Sequence, residues 1–267
     1  MRIAVFSAFP IVDRHRYKHL VLEGLASRKV SVDDVALVYG YSDTRALLGV
    51  ARRVYSFGDG FARVRKAASP RTASTMATEM STEPIRSGRL DHAAREYGFA
   101  VAQFSRYGDS DCADFVRSFH PDVAFNLSGM YVPRSLLTLP PIGVIGGHYA
   151  LLPEIRGADT IRWAILRDRP IAVSHQMLAE EYDMGDVLRR EAVQVRRGDS
   201  LDDIRAACQM THATGCLAIV DDLVAGTLIR EPQKRANGSY FRRMGTHLSE
   251  KVDRLLAKER YSHYSHG

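Results

Sequence analysis

The chain has 267 residues, 45% hydrophobic and 25% charged, which suits one large buried core with a small appendage. No run approaches the roughly 20 uncharged apolar residues of a membrane span. Residues 1–70 hold 12 Lys/Arg against 6 Asp/Glu, 71–226 hold 16 against 21, and 227–267 hold 9 against 4, so the +6 excess sits at the two ends around an acidic middle and argues against a nucleic-acid wrapper.

Arg2-Ile-Ala-Val-Phe-Ser7 reads as a buried strand, followed by a helix over about 16–27 with Tyr17, Leu20, Val21, Gly24 and Leu25 on one face. Val35-Ala-Leu-Val-Tyr39 is a second buried strand, and the β-α-β order predicts a doubly wound, mostly parallel sheet of Rossmann-like type. Residues 58–88 are rich in Gly, Ser, Thr, Ala and Arg and read as a surface insertion. The βα rhythm resumes with a helix from Leu90 to Tyr97, a strand from Phe99 to Phe104, a helix capped by Asp109 or Ser110 through Phe119, and strands at 122–127 and 142–146. Asp159 or Thr160 starts a helix through Arg167. Ile171 to Ala179 and Val187 to Val195 suit a hairpin around Tyr182 to Asp186. Asp199-Ser200 caps a long helix through Ala225, with Cys208, Thr211, Gly215, Leu217 and Val220 on its packing side. Residues 227–267 form a short basic C-terminal extension with Tyr240, Phe241 and Leu248 as anchors and a frayed end at 261–267.

Cys112, Cys208 and Cys216 show no ligand spacing, so a disulfide framework and a zinc ribbon drop out and no metal is expected. With no signal-peptide pattern at the start, a reducing cytoplasm is the expected compartment.

The chemistry concentrates in Ile145-Gly-Gly-His-Tyr-Ala-Leu-Leu-Pro-Glu-Ile-Arg-Gly157 and Tyr182-Asp-Met-Gly-Asp-Val-Leu188. A strand there ends in two glycines and a histidine, and ligands bind at the C-terminal ends of strands in open α/β sheets. His148 suits general acid–base work, and Asp183 suits orienting it or moving protons through water. A histidine satisfied by a backbone carbonyl beside an aspartate that caps a turn fits the same pattern. His175 reads as a satisfied core histidine.

These two segments resemble the folate-dependent formyltransferase superfamily, whose members include methionyl-tRNA, glycinamide ribonucleotide and sugar N-formyltransferases. The family pattern is Asn-x-His, then x-Ser-Leu-Leu-Pro, then Arg-Gly, with a catalytic Asp in an Asp-x-Gly loop. His148, Leu151-Leu152-Pro153, Arg156-Gly157, Asp183 and Gly185 match it. The resemblance also takes in strand 2–7, segment 99–147 and the helix at 200–226. It implies a formyltransferase-like catalytic domain over 1–226, with the insertion at 58–88 and the extension at 227–267.

The departure is Gly146, which stands where the family has its catalytic Asn. That amide holds the formyl oxygen as charge develops, and losing such a donor costs about 100- to 1000-fold. Asn126 at the end of the adjacent strand is the candidate substitute. The alternatives are a hydrolase of formyltetrahydrofolate, a repurposed one-carbon or acyl transferase with a new ligand in the space left by the amide, and a binding module that has lost catalysis. If the mechanism carries over, a formyl group passes from 10-formyltetrahydrofolate to the amine of a small metabolite such as an amino-sugar, amino acid or peptide-like compound. His148 then stabilises the intermediate and Asp183 accepts the proton through it. Backbone groups of Met130, Tyr131 and Val132, and of Glu180, Glu181 and Tyr182, match the pterin cradle. Arg14 and Arg16, in the acceptor-side loop, suit an anionic substrate. A small-molecule amine is the expected partner, without nucleic acid or membrane, and a homodimer stays open. Only 41 residues follow position 226, too few for a separate tRNA-binding domain.

Overall fold

The computed structural model describes residues 1–8, 16–28, 31–40 and 89–265. The expected insertion at 58–88 and Arg14 lie outside the described residues. The elements are β1 (Arg2–Ala8), α1 (Arg16–Ala26), β2 (Asp34–Gly40), α2 (Leu90–Glu96), β3 (Ala100–Gln103), α3 (Ser110–Phe119), β4 (Val123–Asn126) and α4 (Arg134–Leu137). They continue with β5 (Gly143–His148), β6 (Ile155–Gly157), α5 (Thr160–Leu166), β7 (Ala172–Met177), β8 (Val187–Ala192), α6 (Leu201–Ala225), β9 (Ser239–Phe241) and α7 (Thr246–Ala257).

Ile3, Ala4, Val5 and Phe6 of β1 are all fully buried, because helices cover both faces of the sheet. The seven strands run in the order β3-β2-β1-β4-β5-β7-β8. Pairings from β3 through β5 are parallel, while β5–β7 and β7–β8 are antiparallel, so the expected hairpin forms the far edge. This is the expected α/β, doubly wound, mostly parallel architecture. Strand order reverses between β1 and β4, and such a switch point opens a crevice at the carboxyl ends of the strands.

The long helix α6 starts where its sequence says. The Ser200 hydroxyl accepts from the Asp203 N–H at 3.2 Å, and the Asp203 carboxylate accepts from the Ser200 N–H at 2.9 Å. The expected packing stripe needs correction. Cys208, Gly215 and Val220 are buried, but Thr211 and Leu217 are only half-buried, and His212 and Cys216 take the inner face instead. A 3.6-residue period lines up 208, 212, 215 and 219, so helix geometry outweighs polarity at His212.

Two expected caps act differently. Asp109 and Asp159 both occupy the N-cap position, yet neither side chain caps its helix. Their carboxylates accept from the backbone N–H groups of Arg106 and Met244, each at 3.0 Å.

The tail departs most from expectation. Tyr240 is exposed, whereas Val252, Leu256, Tyr261 and Tyr264 are buried beside Ile161, Ile165 and Ile204. Strand β9 pairs in parallel with β6, and the Tyr261 hydroxyl donates to the Arg169 carbonyl at 2.8 Å. Through Ser265 the end is packed rather than frayed: the Ser265 N–H donates to the Val195 carbonyl at 2.8 Å. Among the described residues, no helix is long and apolar enough to cross a membrane.

Candidate active site

His148 is the last residue of β5, and Asp183 lies in the loop that joins β7 to β8. The fold closes the 34 residues between them to 3.3 Å from His148 Nδ1 to Asp183 Oδ1. His148 is buried, and its Nε2 lies 2.8 Å from the Ile155 carbonyl. A carbonyl only accepts, so Nε2 donates to Ile155 and Nδ1 is the ring atom turned toward the Asp183 carboxylate.

Asp183 is tied on both oxygens. Oδ2 accepts from the Gly157 N–H at 2.7 Å, and Oδ1 accepts from the Gln176 side-chain amide at 3.2 Å. Burial opposes its ionisation, but the His148 hydrogen bond and charge, with the Gly157 and Gln176 donors, hold its pKa below the ordinary carboxylate value. Its backbone sits at φ 56°, a left-handed conformation that a non-glycine residue keeps only when its surroundings impose it.

Two glycines of the motif have steric causes. At Gly185 a Cβ would lie 1.7 Å from the Met177 carbonyl oxygen, so only glycine lets the Asp183 loop press onto β7. At Gly157, φ is 103° and a Cβ would lie 2.0 Å from the Phe241 carbonyl, where β9 crosses β6.

Gly146 is another matter. A Cβ there would lie 2.8 Å from Leu178 Cδ2, so the space expected to admit a new ligand is taken by a leucine. Asn126 pairs with Gly146 in the parallel ladder and therefore emerges beside it. Its amide Nδ2 donates to the Met130 carbonyl at 3.0 Å, and its Oδ1 accepts from the Ser128 N–H at 3.1 Å. Its carboxamide thus closes its own loop.

The two expected folate segments meet in space. The rings of Tyr131 and Tyr182 lie 5.7 Å apart, both half-exposed at the rim. Met130 is half-buried and Val132 faces the core. Glu180 pairs with Arg134 at 3.0 Å and Glu181 with Arg235, which fastens this loop to α4 and to the tail. Arg16 opens α1.

Sequence reasoning missed four participants: Gln176, Leu178, Gln233 and the role of Arg156. The buried Arg156 guanidinium donates to the carbonyls of Arg235 and Gly238 and touches the Met184 sulfur. Three successive polar residues, Ser174, His175 and Gln176, inside the run from Ile171 to Ala179 were the available signal for Gln176. On the opposite face of β5, donor atoms of His175, His212 and Cys216 lie within 4.8 Å of one another, a set of metal-ligand type. The two imidazoles already bond each other at 3.0 Å and fasten α6 to β7, so His175 is a core histidine satisfied at Nε2, while its Nδ1 faces the Glu191 carboxylate at 3.6 Å.

A family model described as formyl transferase matches residues 21–220. The chain belongs to the formyltransferase family. Among curated relatives, methionyl-tRNA formyltransferase of Geotalea daltonii is 29% identical over 149 residues, covering 55% of this chain and 48% of that protein. The enzyme of the same description from Anaeromyxobacter dehalogenans is 30% identical over 168 residues, covering 62% and 52%. The chain thus spans about half the length of the curated relatives it matches. Solved structures share the fold. A sugar N-formyltransferase from Shewanella superposes with a TM-score of 0.59 at 14% identity, over 96% of this chain and 87% of that one. Glycinamide ribonucleotide transformylase 1 of Symbiobacterium toebii gives 0.59 at 13%, over 88% and 94%. An N-formyltransferase from Helicobacter canadensis, in complex with folinic acid and dTDP-3-aminofucose, gives 0.57 at 13%, over 100% and 84%.

Proposed function

We propose that this formyltransferase-family chain is an N-formyltransferase that moves a formyl group from 10-formyltetrahydrofolate to a primary amine of a small metabolite, with amino-sugars first among the candidates. The contact between His148 Nδ1 and Asp183 Oδ1 carries the reading. The amine nitrogen attacks the formyl carbon, a new C–N bond forms, and the bond from that carbon to the folate nitrogen breaks. The proton lost by the amine passes to the pair of His148 Nδ1 and Asp183 Oδ1, since Nε2 is committed to the Ile155 carbonyl, and is returned to the departing folate nitrogen. The Asp183 carboxylate stabilises the imidazolium that results. The half-exposed Tyr131 and Tyr182 rings suit the flat aromatic part of a folate, which supports the donor. Amino-sugars lead because structures carrying that chemistry align with nearly the whole of this chain.

The test is formyl transfer from 10-formyltetrahydrofolate to a panel of amino-sugars, amino acids and peptides. At least one amine is expected to turn over. Asp183→Asn and His148→Ala each lower kcat about 100-fold or more. Release of folate product without an acceptor would mark a hydrolase. Folate binding with a rate indifferent to His148→Ala would mark a binding module, and no folate binding together with no turnover overturns the proposal.

A further inference from the structure

Gly146 of β5 pairs directly with Gln176 of β7 in the antiparallel ladder, so their side-chain positions lie together on one face of the sheet. The place without an amide therefore has an amide next to it, on the neighbouring strand. Gln176 is buried, and its Nε2 donates to Asp183 Oδ1, the oxygen that also faces His148.

Which end of the Gln176 amide faces Asp183 is decided by Gln233, in the segment that follows α6. The Gln233 nitrogen is surrounded by oxygens: the Gly185 carbonyl at 2.6 Å, the Asp183 carbonyl at 3.1 Å and Gln176 Oε1 at 3.3 Å. That end of Gln233 must be its NH2, so the oxygen of Gln176 faces Gln233 and its nitrogen faces Asp183. Gln233 is held in turn by its neighbours. Glu231 forms a two-way backbone bridge with Val187, at 2.8 and 2.9 Å, and a bidentate pair with Arg190. The Arg156 guanidinium grips the Arg235 and Gly238 carbonyls on the other side.

We propose that Gln176 and Gln233 form an amide relay that positions Asp183, so that the side-chain amide of this site comes from β7, fixed by the C-terminal segment, instead of from β5. Both are positioning residues: they act on the reaction through Asp183, and the proposal rests on the formyl-transfer reading for its kinetic part. The relay gives the segment after α6 a task in the active site, since its first turns decide how the Asp183 loop sits.

The groups around Asp183 fix the expected pH effect. His148 faces it from β5, the Gly157 N–H from β6 and the Gln176 amide from β7. Arg156 of β6 lies against the adjacent Met184, while Arg134 and Arg235 are spent on Glu180 and Glu181. Of these, Gln176 is a donor that favours the carboxylate, so losing it raises the Asp183 pKa.

The experiment compares the full chain with Gln176→Met, which keeps the length without a donor, and with Gln233→Ala and Gln233→Glu on the more accessible partner. The Asp183 carboxyl carbon is followed by NMR in aspartate-labelled protein, with Asp183→Asn as the assignment control. All three variants are expected to titrate at higher pH than the parent. In the transfer assay their kcat falls, up to about 100-fold, while the folate KM stays within about twofold. The acid limb of the rate profile moves up with the carboxyl titration. An unchanged Asp183 titration in Gln176→Met and Gln233→Ala overturns the relay. If the parent transfers formyl to no amine, the formyl-transfer reading fails on its own, and the titration still decides the relay.

Discussion

At the scale of single residues, hydrogen-bond direction settles roles that residue type leaves open. His148 suits either a catalytic base or a satisfied core histidine, and the structure puts its two nitrogens in different settings: Nε2 is satisfied by Ile155, and Nδ1 faces Asp183. The other buried pair, His175 and His212, has a consequence for stability. Burial lowers the His175 pKa to about 4 and holds His212 well below its ordinary value, so both rings stay neutral near neutrality. The unfolded chain binds those protons from about pH 6.5 downward and the folded chain resists them, so stability is highest above that value and falls as pH drops toward about 4. A His175→Gln/His212→Gln double variant is expected to be less stable at about pH 7 but to lose less between about pH 7 and about pH 5. Denaturation midpoints at the two pH values measure it, and equal losses in parent and variant would contradict the assignment.

At the scale of elements, local signals worked where the partner lay within the same segment. The Ser200–Asp203 box is written in four consecutive residues and forms as written. Ser200→Ala is expected to cost about 1 kcal/mol and lower Tm by about 2–4 °C, read by calorimetry. Asp109 and Asp159 carry the same cap signal but spend their carboxylates on Arg106 and Met244. For Asp159 the competing N–H comes from a segment 85 residues away, which no local pattern reveals. The β7–β8 hairpin was legible because two strand-like runs lie on either side of the turn segment Tyr182 to Asp186. The geometry around Asp183 was not, because Gly157 and Gln176 approach it from separate strands.

At the scale of the molecule, the tail reaches the core through Val252, Leu256, Tyr261 and Tyr264. Composition suggests that 261–267 are dispensable, yet Tyr261 is 3% exposed and Tyr264 is 8% exposed, packed beside α5 and α6. Tyr261→Ala is expected to destabilise the chain by about 3 kcal/mol, and removal of residues 261–267 by at least as much. Thermal unfolding of both variants tests this, and an unchanged Tm in the shortened chain would restore the frayed reading. The tail's basic charge also has a structural outlet, since Arg235 pairs with Glu181 and Arg243 with Asp159.

The sequence by itself determined the fold class and the order of the main strands and helices, and its resemblance to a known family singled out His148 and Asp183 as candidates. Each of these is carried by short-range periodicity or by a motif contiguous along the chain. Tertiary structure alone decided that Leu178 fills the space at Gly146, that Asn126 is bound to its own loop, and that Gln176 and Gln233 meet at Asp183. The Leu178 contact depends on the register of β5 against β7, the Asn126 contacts on the turn after β4, and the Gln233 contacts with Asp183 and Gln176 on groups 50 and 57 residues apart; hydrogen-bond direction exists only once both partners have been placed.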